Sequence, residues 1–151
     1  MTTFRFRLQR VLDYRRVQFQ VTQAEYQRAS ARLHGIQAQQ AALAARKLET
    51  RNAFSSLPEV AGQDLAPLPG WYNWTVRAND YLNQIERAAT KEMQTRRHAV
   101  LQAQQKVRLM EKLLEKRHGE WQAAFDREME ELAADSTNSR YARERVTRES
   151  L

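Results

Sequence analysis

The sequence predicts an all-α protein, a long antiparallel two-helix coiled-coil hairpin, and three observations predict it. Apolar residues recur at alternating steps of four and three through two long stretches, as in the seam of a coiled coil. All three prolines and two of the four glycines fall in one segment, residues 55–70. Strict alternation, the signal of a strand, is confined to FRFRL at the start of the chain.

Composition supports this fold class. The chain has 151 residues, of which 42% are hydrophobic and 28% charged, which suits a single domain over residues 1–151. Four glycines and three prolines supply too few turns for a sandwich, a barrel or a βαβ fold. The absence of cysteine excludes disulfides, thiolate zinc sites and a cysteine nucleophile, and it fits a reducing compartment.

No segment has the composition of a membrane span or a secretory signal. The uncharged stretch of residues 35–45 has eleven residues with three glutamines, whereas a span needs about 20 apolar residues. The arginines of MTTFRFRLQRVLDYRR stand among the apolar positions and not ahead of them. An arginine-rich transit peptide is the alternative, and the uninterrupted helical pattern disfavours it. We therefore expect a cytoplasmic location.

The first predicted helix covers about residues 4–57 and carries one unbroken seam. Alternate steps of four and three from Leu8 reach fifteen positions, ten of them apolar. The seam positions are Leu8, Leu12, Arg15, Phe19, Thr22, Tyr26, Ala29, Leu33, Ile36, Gln40, Leu43, Lys47, Thr50, Phe54 and Leu57. The helix should end near Leu57, because Pro58 cannot continue it.

A loop at 58–70 leads to a second predicted helix over about residues 71–135, followed by a basic tail at 136–151. The second helix repeats the period, with a local register shift between Ala89 and Met93. Its seam positions are Leu82, Ile85, Ala89, Met93, Arg96, Val100, Ala103, Val107, Met110, Leu114, Arg117, Trp121 and Ala124. The weak helix formers of DSTNSR break the period, so we expect a helical but frayed tail that orders on binding a partner.

The distribution of charge predicts antiparallel packing. The chain carries 25 basic and 18 acidic residues, a net charge of +7. Residues 1–32 hold seven arginines and two acids, whereas residues 119–135 hold six acids and one arginine. A fold that turns back at the loop brings these two segments together. A parallel homodimer would instead place like charges side by side, although each exposed pair is worth only about 0.2–1 kcal/mol.

No residue pattern indicates an enzyme, a cofactor site or a metal site. The chain lacks a phosphate-binding glycine loop, HExxH and GxSxG, and a two-helix hairpin offers no enclosed pocket. Its three histidines, His34, His98 and His118, are dispersed and read as solvent-facing helix residues. His34 and His98 could approach across the hairpin and hold a metal weakly, which is the less favoured interpretation.

Aromatic residues concentrate at the two ends of the predicted hairpin. The group near the loop is Phe54, Trp71, Tyr72, Trp74 and Tyr81. Two helices cannot cover so many large rings, so we expect part of this group to pack locally and the rest to form an exposed binding patch. The group at the other end, Phe4, Phe6, Trp121 and Phe125, should close the seam.

These segments together resemble one family. FRFRLQRVLDYR at the start, a helix ending in RNAFSSLP, the W71…YL…I85 entry to the second helix, and VRLMEKLLEKRHGEWQAAFDREMEELAAD are similar to FliJ. FliJ is the small cytoplasmic coiled-coil protein of the bacterial flagellar type III export apparatus. The likeness extends over nearly the whole chain, and the opening FRFRLxxVL with the later EKLLEKR discriminates best.

The resemblance implies a non-enzymatic stalk that couples several partners. It implies that the open end enters the hexameric export ATPase FliI, contacts the regulator FliH, and uses Arg5, Arg7, Arg10 and Arg145. It further implies that the half near the loop contacts the export-gate protein FlhA and flagellar export chaperones through Tyr81, Ile85 and Ala88, with Phe54 nearby on the first helix. Such a protein lies at the cytoplasmic side of the inner membrane and takes no small-molecule substrate.

Two other functions stay open on the residues alone. Arginine outnumbers lysine twenty to five, which suits a basic helical hairpin that binds nucleic acid. The arginines are, however, spread over both arms and interleaved with acids, unlike the continuous basic region of a DNA-binding zipper. A coiled-coil scaffold of another secretion system fits the same pattern. A membrane-surface helix is disfavoured because the apolar stripe is needed by the other arm.

Overall fold

The computed structural model describes residues 3–59 and 61–149, with side chains described as far as Tyr141. Three helices follow in order, α1 (Gln9–Ser55), α2 (Gly62–Leu65) and α3 (Leu68–Glu149). No residue in the described ranges belongs to a strand. The prediction of an all-α fold built on two long helices is confirmed.

The helix α1 begins at Gln9, later than the predicted start near residue 4. Residues 3–6 are not helical, and the Gln9 N–H donates to the Phe6 carbonyl at 3.2 Å. Alternation of phenylalanine and arginine explains the difference, because successive residues of a non-helical segment can face opposite sides. Both phenylalanines are half-buried and both arginines are exposed. A helix would have turned the two rings away from each other.

The connection between the long helices is shorter than the predicted loop at 58–70. The helix α1 ends at Ser55 and α3 begins at Leu68, with the four-residue helix α2 between them. Pro69 is therefore the second residue of α3. The first four N–H groups of a helix have no intrahelical acceptor, so a proline in the first turn forfeits no hydrogen bond.

The helix α3 passes through residue 135 and continues to Glu149, so residues 136–149 are helical, as the sequence predicts for the tail, and are continuous with the second helix. Fraying of the tail and its ordering on a partner stay predictions. The polar residues that suggested a break are accommodated by the helix itself. The Ser136 and Thr137 hydroxyls both donate to the Ala133 carbonyl, at 3.0 and 2.8 Å. Side-chain bonds of this kind satisfy the hydroxyls without ending the helix.

Backbone contacts divide the chain into two units, whereas the sequence predicts one domain. We call residues 17–104 the inner unit, and residues 1–16 with 105–151 the terminal unit. In the inner unit the two helices are antiparallel, since partners on α3 move back along the chain as those on α1 move forward. Glu25 accepts from Arg96 at 2.7 Å, and Gln40 donates to Asn83 at 3.0 Å.

The inner unit is held by the predicted seam. Five buried residues form its hydrophobic core, and three half-buried ones pack against them. They are Leu33, Ile36, Leu43, Leu82 and Ala89, with Ala78, Ile85 and Met93. The two successive four-residue steps from Ile85 to Ala89 to Met93 keep all three residues in the seam, which confirms the predicted register shift.

A polar position interrupts the apolar seam of the inner unit. Gln40 Nε2 donates to Asn83 Oδ1 at 3.0 Å and to Glu86 Oε2 at 2.9 Å, and Gln37 Nε2 donates to Glu86 Oε1 at 3.4 Å. These amide donors lower the pKa of the Glu86 carboxyl, Gln40 contributing more than Gln37. A polar residue at a seam position favours one register of the two helices over the others.

The terminal unit is also antiparallel. Leu12 is fully buried, and Arg16 pairs with Glu111 at 2.9 Å. The predicted charge pairing between residues 1–32 and 119–135 is wrong in detail. Among the described side chains, no carboxylate of residues 126–135 forms an ion pair, and Glu120 pairs with Arg117 of its own helix at 3.0 Å. The acids lie too far along α3 to reach α1, which begins only at Gln9.

Candidate interaction surfaces

The N-terminal residues of the terminal unit form a basic surface, which we define as Arg5, Arg7 and Arg10. All three side chains are exposed, and none has an ion pair within the described residues. Arg5 and Arg7 alternate with Phe4 and Phe6, whose rings are half-buried. Arg10 follows in the first turn of α1. Three unpaired guanidinium groups are therefore available to carboxylates or phosphates.

A cavity of about 660 Å³ lies beside this basic surface, within the terminal unit. Its apolar lining consists of Phe4, Phe6, Leu8, Leu113 and Trp121, and its polar lining includes Arg5, Arg7, Arg117 and Glu120. The arrangement suits an apolar side chain of a partner that carries a carboxylate beside it.

Aromatic rings pack across the seam beside the cavity. Phe4 lies 5.8 Å from Trp121 between ring centroids, and Trp121 stacks on Phe125 at 5.5 Å. This confirms the predicted packing of these three rings, while Phe6 lines the cavity. His118 is exposed as predicted, yet its ring also meets the edge of Phe4 at 5.0 Å. His118 precedes Trp121 by three residues, so the two side chains lie on one face of α3. A ring that packs on Trp121 could therefore have been expected to reach His118 as well.

Arg145, the fourth arginine assigned to this end by the resemblance, belongs to the last turns of α3. Its side chain lies outside the described residues. Its role stays a prediction.

A second surface, which we call the aromatic surface, lies on α3 in the inner unit and consists of Trp74, Tyr81 and Ala88. The three residues are seven apart, so they share one helix face. Trp74 is 54% and Tyr81 63% exposed. Trp71 is half-buried, so the prediction that the aromatic group is partly packed and partly exposed is confirmed. Trp74 was missing from the predicted binding residues, and its spacing from Tyr81 was the available signal.

Two predicted residues lie apart from the aromatic surface. Ile85 is half-buried and packs against the core of the inner unit, so most of its side chain is unavailable to a partner. Phe54 is half-buried near the end of α1. The register pairs Gln40 with Asn83, and Phe54 lies fourteen residues beyond Gln40, about 21 Å along the helix. The structure therefore does not bring Phe54 beside Tyr81.

The alternative of a two-histidine metal site fails on the register. Arg32 pairs with Glu92 at 3.4 Å and Glu25 with Arg96 at 2.7 Å, so His34 and His98 lie at different levels of the inner unit. Within the described residues, no group of three or more potential ligands could hold a metal ion. In the same part of the chain, no helix is long and apolar enough to cross a bilayer.

Together these features define a class, an all-α helical hairpin protein with a basic surface on one unit and an aromatic surface on the other. Comparison with protein-family models, with curated proteins and with solved structures finds no match to this chain.

Proposed function

We propose that this protein is a non-enzymatic coupling component of the flagellar type III export apparatus, of the FliJ type. Its basic surface engages the hexameric export ATPase FliI and the regulator FliH. Its aromatic surface engages the export-gate protein FlhA and the export chaperones. The protein acts in the cytoplasm, peripherally at the inner membrane, and any ATP hydrolysis belongs to the ATPase.

The observation that carries the proposal is the unpaired basic surface beside an apolar cavity. Arg5, Arg7 and Arg10 belong to the FRFRLQRVL segment on which the resemblance chiefly depends, and all three are exposed. Because these arginines form no ion pair with the described side chains, no such pair has to be broken before they bind a partner's carboxylates. The adjoining cavity adds an apolar contact at the same place.

The aromatic surface supports the second half of the proposal. Trp74 and Tyr81 expose more than half of their area although both are large apolar groups. Exposed aromatic side chains in a row are typical of protein interfaces, where tryptophan and tyrosine contribute most per residue. Their place in the other unit is consistent with a partner distinct from the ATPase.

The decisive experiment measures ATPase activity and ring assembly of the cognate export ATPase with this protein added in excess. We expect both to increase with wild-type protein. The paired change Arg5→Glu with Arg7→Glu should weaken binding at least tenfold, because two attractive contacts become repulsive. The matched control is Arg46→Glu with Arg51→Glu, which reverses two exposed, unpaired arginines of the inner unit. An equal loss from both pairs would contradict a specific basic surface.

A second experiment separates the two surfaces. Tyr81→Ala should reduce binding to the gate protein or to chaperones and leave the ATPase contact unchanged, since the ring lies in the inner unit. Leu48→Ala, which also truncates an exposed apolar residue of that unit, is the control. If Tyr81→Ala and the arginine pair abolish the same interaction, the assignment of two partners is wrong.

The exposed arginines also support a second candidate, a basic hairpin that binds nucleic acid. Phosphate contacts release counterions, so such binding falls steeply with salt. A gel shift with duplex and single-stranded DNA at about 0.1 M salt tests it. Retention of both at that salt would favour this candidate. A scaffold role in another secretion system predicts binding to a different ATPase in the same assay.

A further inference from the structure

The last part of α3 that is described with side chains is exposed along its whole length. Every side chain from Asp126 to Tyr141 is exposed, whereas Trp121 and Phe125 just before them are half-buried. We call residues 126–141 the α3 extension. Packing within the chain does not require apolar residues at seam spacing in an exposed helix. Where such residues occur, they indicate a surface that binds a partner.

The seam nevertheless continues into the α3 extension. Steps of four, four and three lead from Trp121 to Phe125, Met129 and Leu132, and the last two are 41% and 57% exposed. Three acids, Glu128, Glu131 and Asp135, run at helical spacing along one side of this apolar stripe. None of these acids forms an ion pair among the described side chains.

A face of complementary character lies at the other end of the same unit. Val11 and Tyr14 are 41% and 58% exposed, on the sides of α1 turned away from the buried Leu12. Arg7 and Arg10 adjoin them in sequence. This face therefore combines apolar area with positive charge, and the α3 extension combines apolar area with negative charge.

The charges of these two faces do not pair with each other among the described side chains of one chain. The described ion pairs of the terminal unit join Arg16 to Glu111 and Arg117 to Glu120, and leave both sets of charges unused. We propose that the occupant of each face is a second copy of this chain. The α3 extension of one copy lies on the basic surface and on Val11 and Tyr14 of the other, and the reverse contact completes a two-fold dimer.

The lengths of the two faces agree. The acids and exposed apolar residues of the α3 extension lie within residues 128–135, eight residues or about 12 Å of helix. Their counterparts lie within residues 7–14, also about 12 Å if the turn at residues 7–8 is counted like the helix that follows it. Two-fold symmetry repeats the same contact, so the dimer pairs both sets of opposite charges and buries both apolar stripes. This inference goes beyond the proposed function and does not depend on it; because both use the basic surface, the dimer and the complex with the ATPase are alternative states of that surface.

The first test measures the mass of the full chain by sedimentation equilibrium across concentration. We expect a rise from one chain to two at about 0.05 M salt and reversal at about 1 M, where screening acts over only about 3 Å. The N-reversed variant carries Arg5→Glu, Arg7→Glu and Arg10→Glu, and the C-reversed variant carries Glu128→Lys, Glu131→Lys and Asp135→Lys. Each variant alone should stay a single chain, because like charges then face each other.

Mixing the two variants gives the decisive result. In a mixed dimer both contacts are attractive again, so the N-reversed and C-reversed chains should pair with each other and not with themselves. The control is Arg46→Glu, Arg51→Glu and Arg77→Glu, an equal change of net charge on exposed arginines of the inner unit, which should dimerise as the wild type does. Circular dichroism verifies that every variant keeps its helix content.

A second measurement locates the contact. The chain has no cysteine, so Val11→Cys and Met129→Cys can be made in separate chains and mixed under oxidising conditions. We expect a disulfide between the two chains, and none when Ala45→Cys replaces Val11→Cys. A wild-type chain that stays single at about 100 µM (a Kd far above the micromolar range), reversed variants that do not pair, or a salt-independent dimer would each overturn the proposal. So would binding of the α3 extension to another protein without self-association.

Discussion

Two long helices make few contacts with each other, so the residues at those contacts set how the helices align. Gln40 occupies a position where the seam period calls for an apolar side chain, and it is retained by hydrogen bonds to Asn83 and Glu86. The ion pairs across the helices are exposed, with side-chain exposures of 39–68%, and each contributes only about 0.2–1 kcal/mol. The buried seam residues and the Gln40 cluster therefore determine the register.

The Gln40 cluster predicts a specific pH dependence. The lowered pKa of Glu86 means that its bonds stabilise the fold fully above the ordinary value of 4.5 and are lost as the pH falls through the lower folded value. Gln40→Met keeps the length of the side chain and removes the donor, so the pKa of Glu86 should rise toward 4.5 in an NMR titration. Gln39→Met, at an exposed neighbouring position, should leave it unchanged. An unaltered titration of Glu86 in the first variant would contradict this account.

Gly119 predicts a stabilising substitution. It lies inside α3, and a Cβ at this position would meet nothing within 4 Å. Because glycine loses more backbone entropy than alanine on entering a helix, Gly119→Ala should raise the free energy of unfolding by about 0.5–1 kcal/mol. Urea unfolding monitored by circular dichroism measures the change. Gly35→Ala in α1, equally unobstructed, should give a similar gain, and a loss at either position would show a contact that this structure lacks.

At the scale of elements, the ends of the helices are where sequence reasoning and structure differ. The helix α1 starts only at Gln9, and the non-helical FRFR segment before it half-buries both phenylalanines. The α3 end is displaced the other way, since DSTNSR continues the helix with its hydroxyls bonded to Ala133 and Ala134. Both outcomes follow from local hydrogen bonding and packing that the seam period does not contain.

The α3 extension predicts a gradient of hydrogen exchange along one helix. Every side chain of residues 128–141 is exposed, whereas residues 107–114 include three half-buried seam positions, Val107, Met110 and Leu114. Helices without tertiary contacts open easily, so amides of the first segment should exchange much faster in dilute solution. Mass spectrometry of peptic fragments measures this. If the proposed dimer forms, the same amides should become protected as concentration rises, and uniform exchange along α3 would contradict the uncovered state.

At the scale of the whole molecule, net charge and local surfaces have separable effects. The triple reversal of Arg5, Arg7 and Arg10 lowers the formal charge from +7 to +1, since each change removes two charges. The same triple reversal at Arg46, Arg51 and Arg77 gives the same total. Non-specific binding to DNA depends on overall positive charge, so both variants should lose it alike.

Binding to the export ATPase should respond differently. It depends on the placement of charge, so only the N-terminal reversal should abolish it. Fluorescence anisotropy with labelled DNA and with the labelled ATPase compares the two variants directly. If the inner-unit reversal weakens ATPase binding as much as the N-terminal one, the interaction follows net charge and the basic surface has no special role.

The residue pattern was enough to predict the fold class, the two long helices, their antiparallel arrangement and almost the whole seam. Of the fifteen positions counted from Leu8, only Leu8 and Leu57 are exposed, because a 3.5-residue period can be satisfied only by a helix with a partner along that stripe. The packing of Phe4, Trp121 and Phe125 was also predictable from the sequence, because large rings at matching ends of two antiparallel helices can pack on each other.

Which residues remain exposed for partners depends on how the helices pack, and the pattern does not contain that information. Whether Ile85 faces the core or a partner, whether Phe54 reaches Tyr81, and whether the acids of residues 126–135 find the N-terminal arginines all depend on register and on where each helix begins and ends. A shift of a few residues along a helix moves a side chain by a whole turn. Periodicity specifies the stripe that is buried, but not the level at which two stripes are aligned.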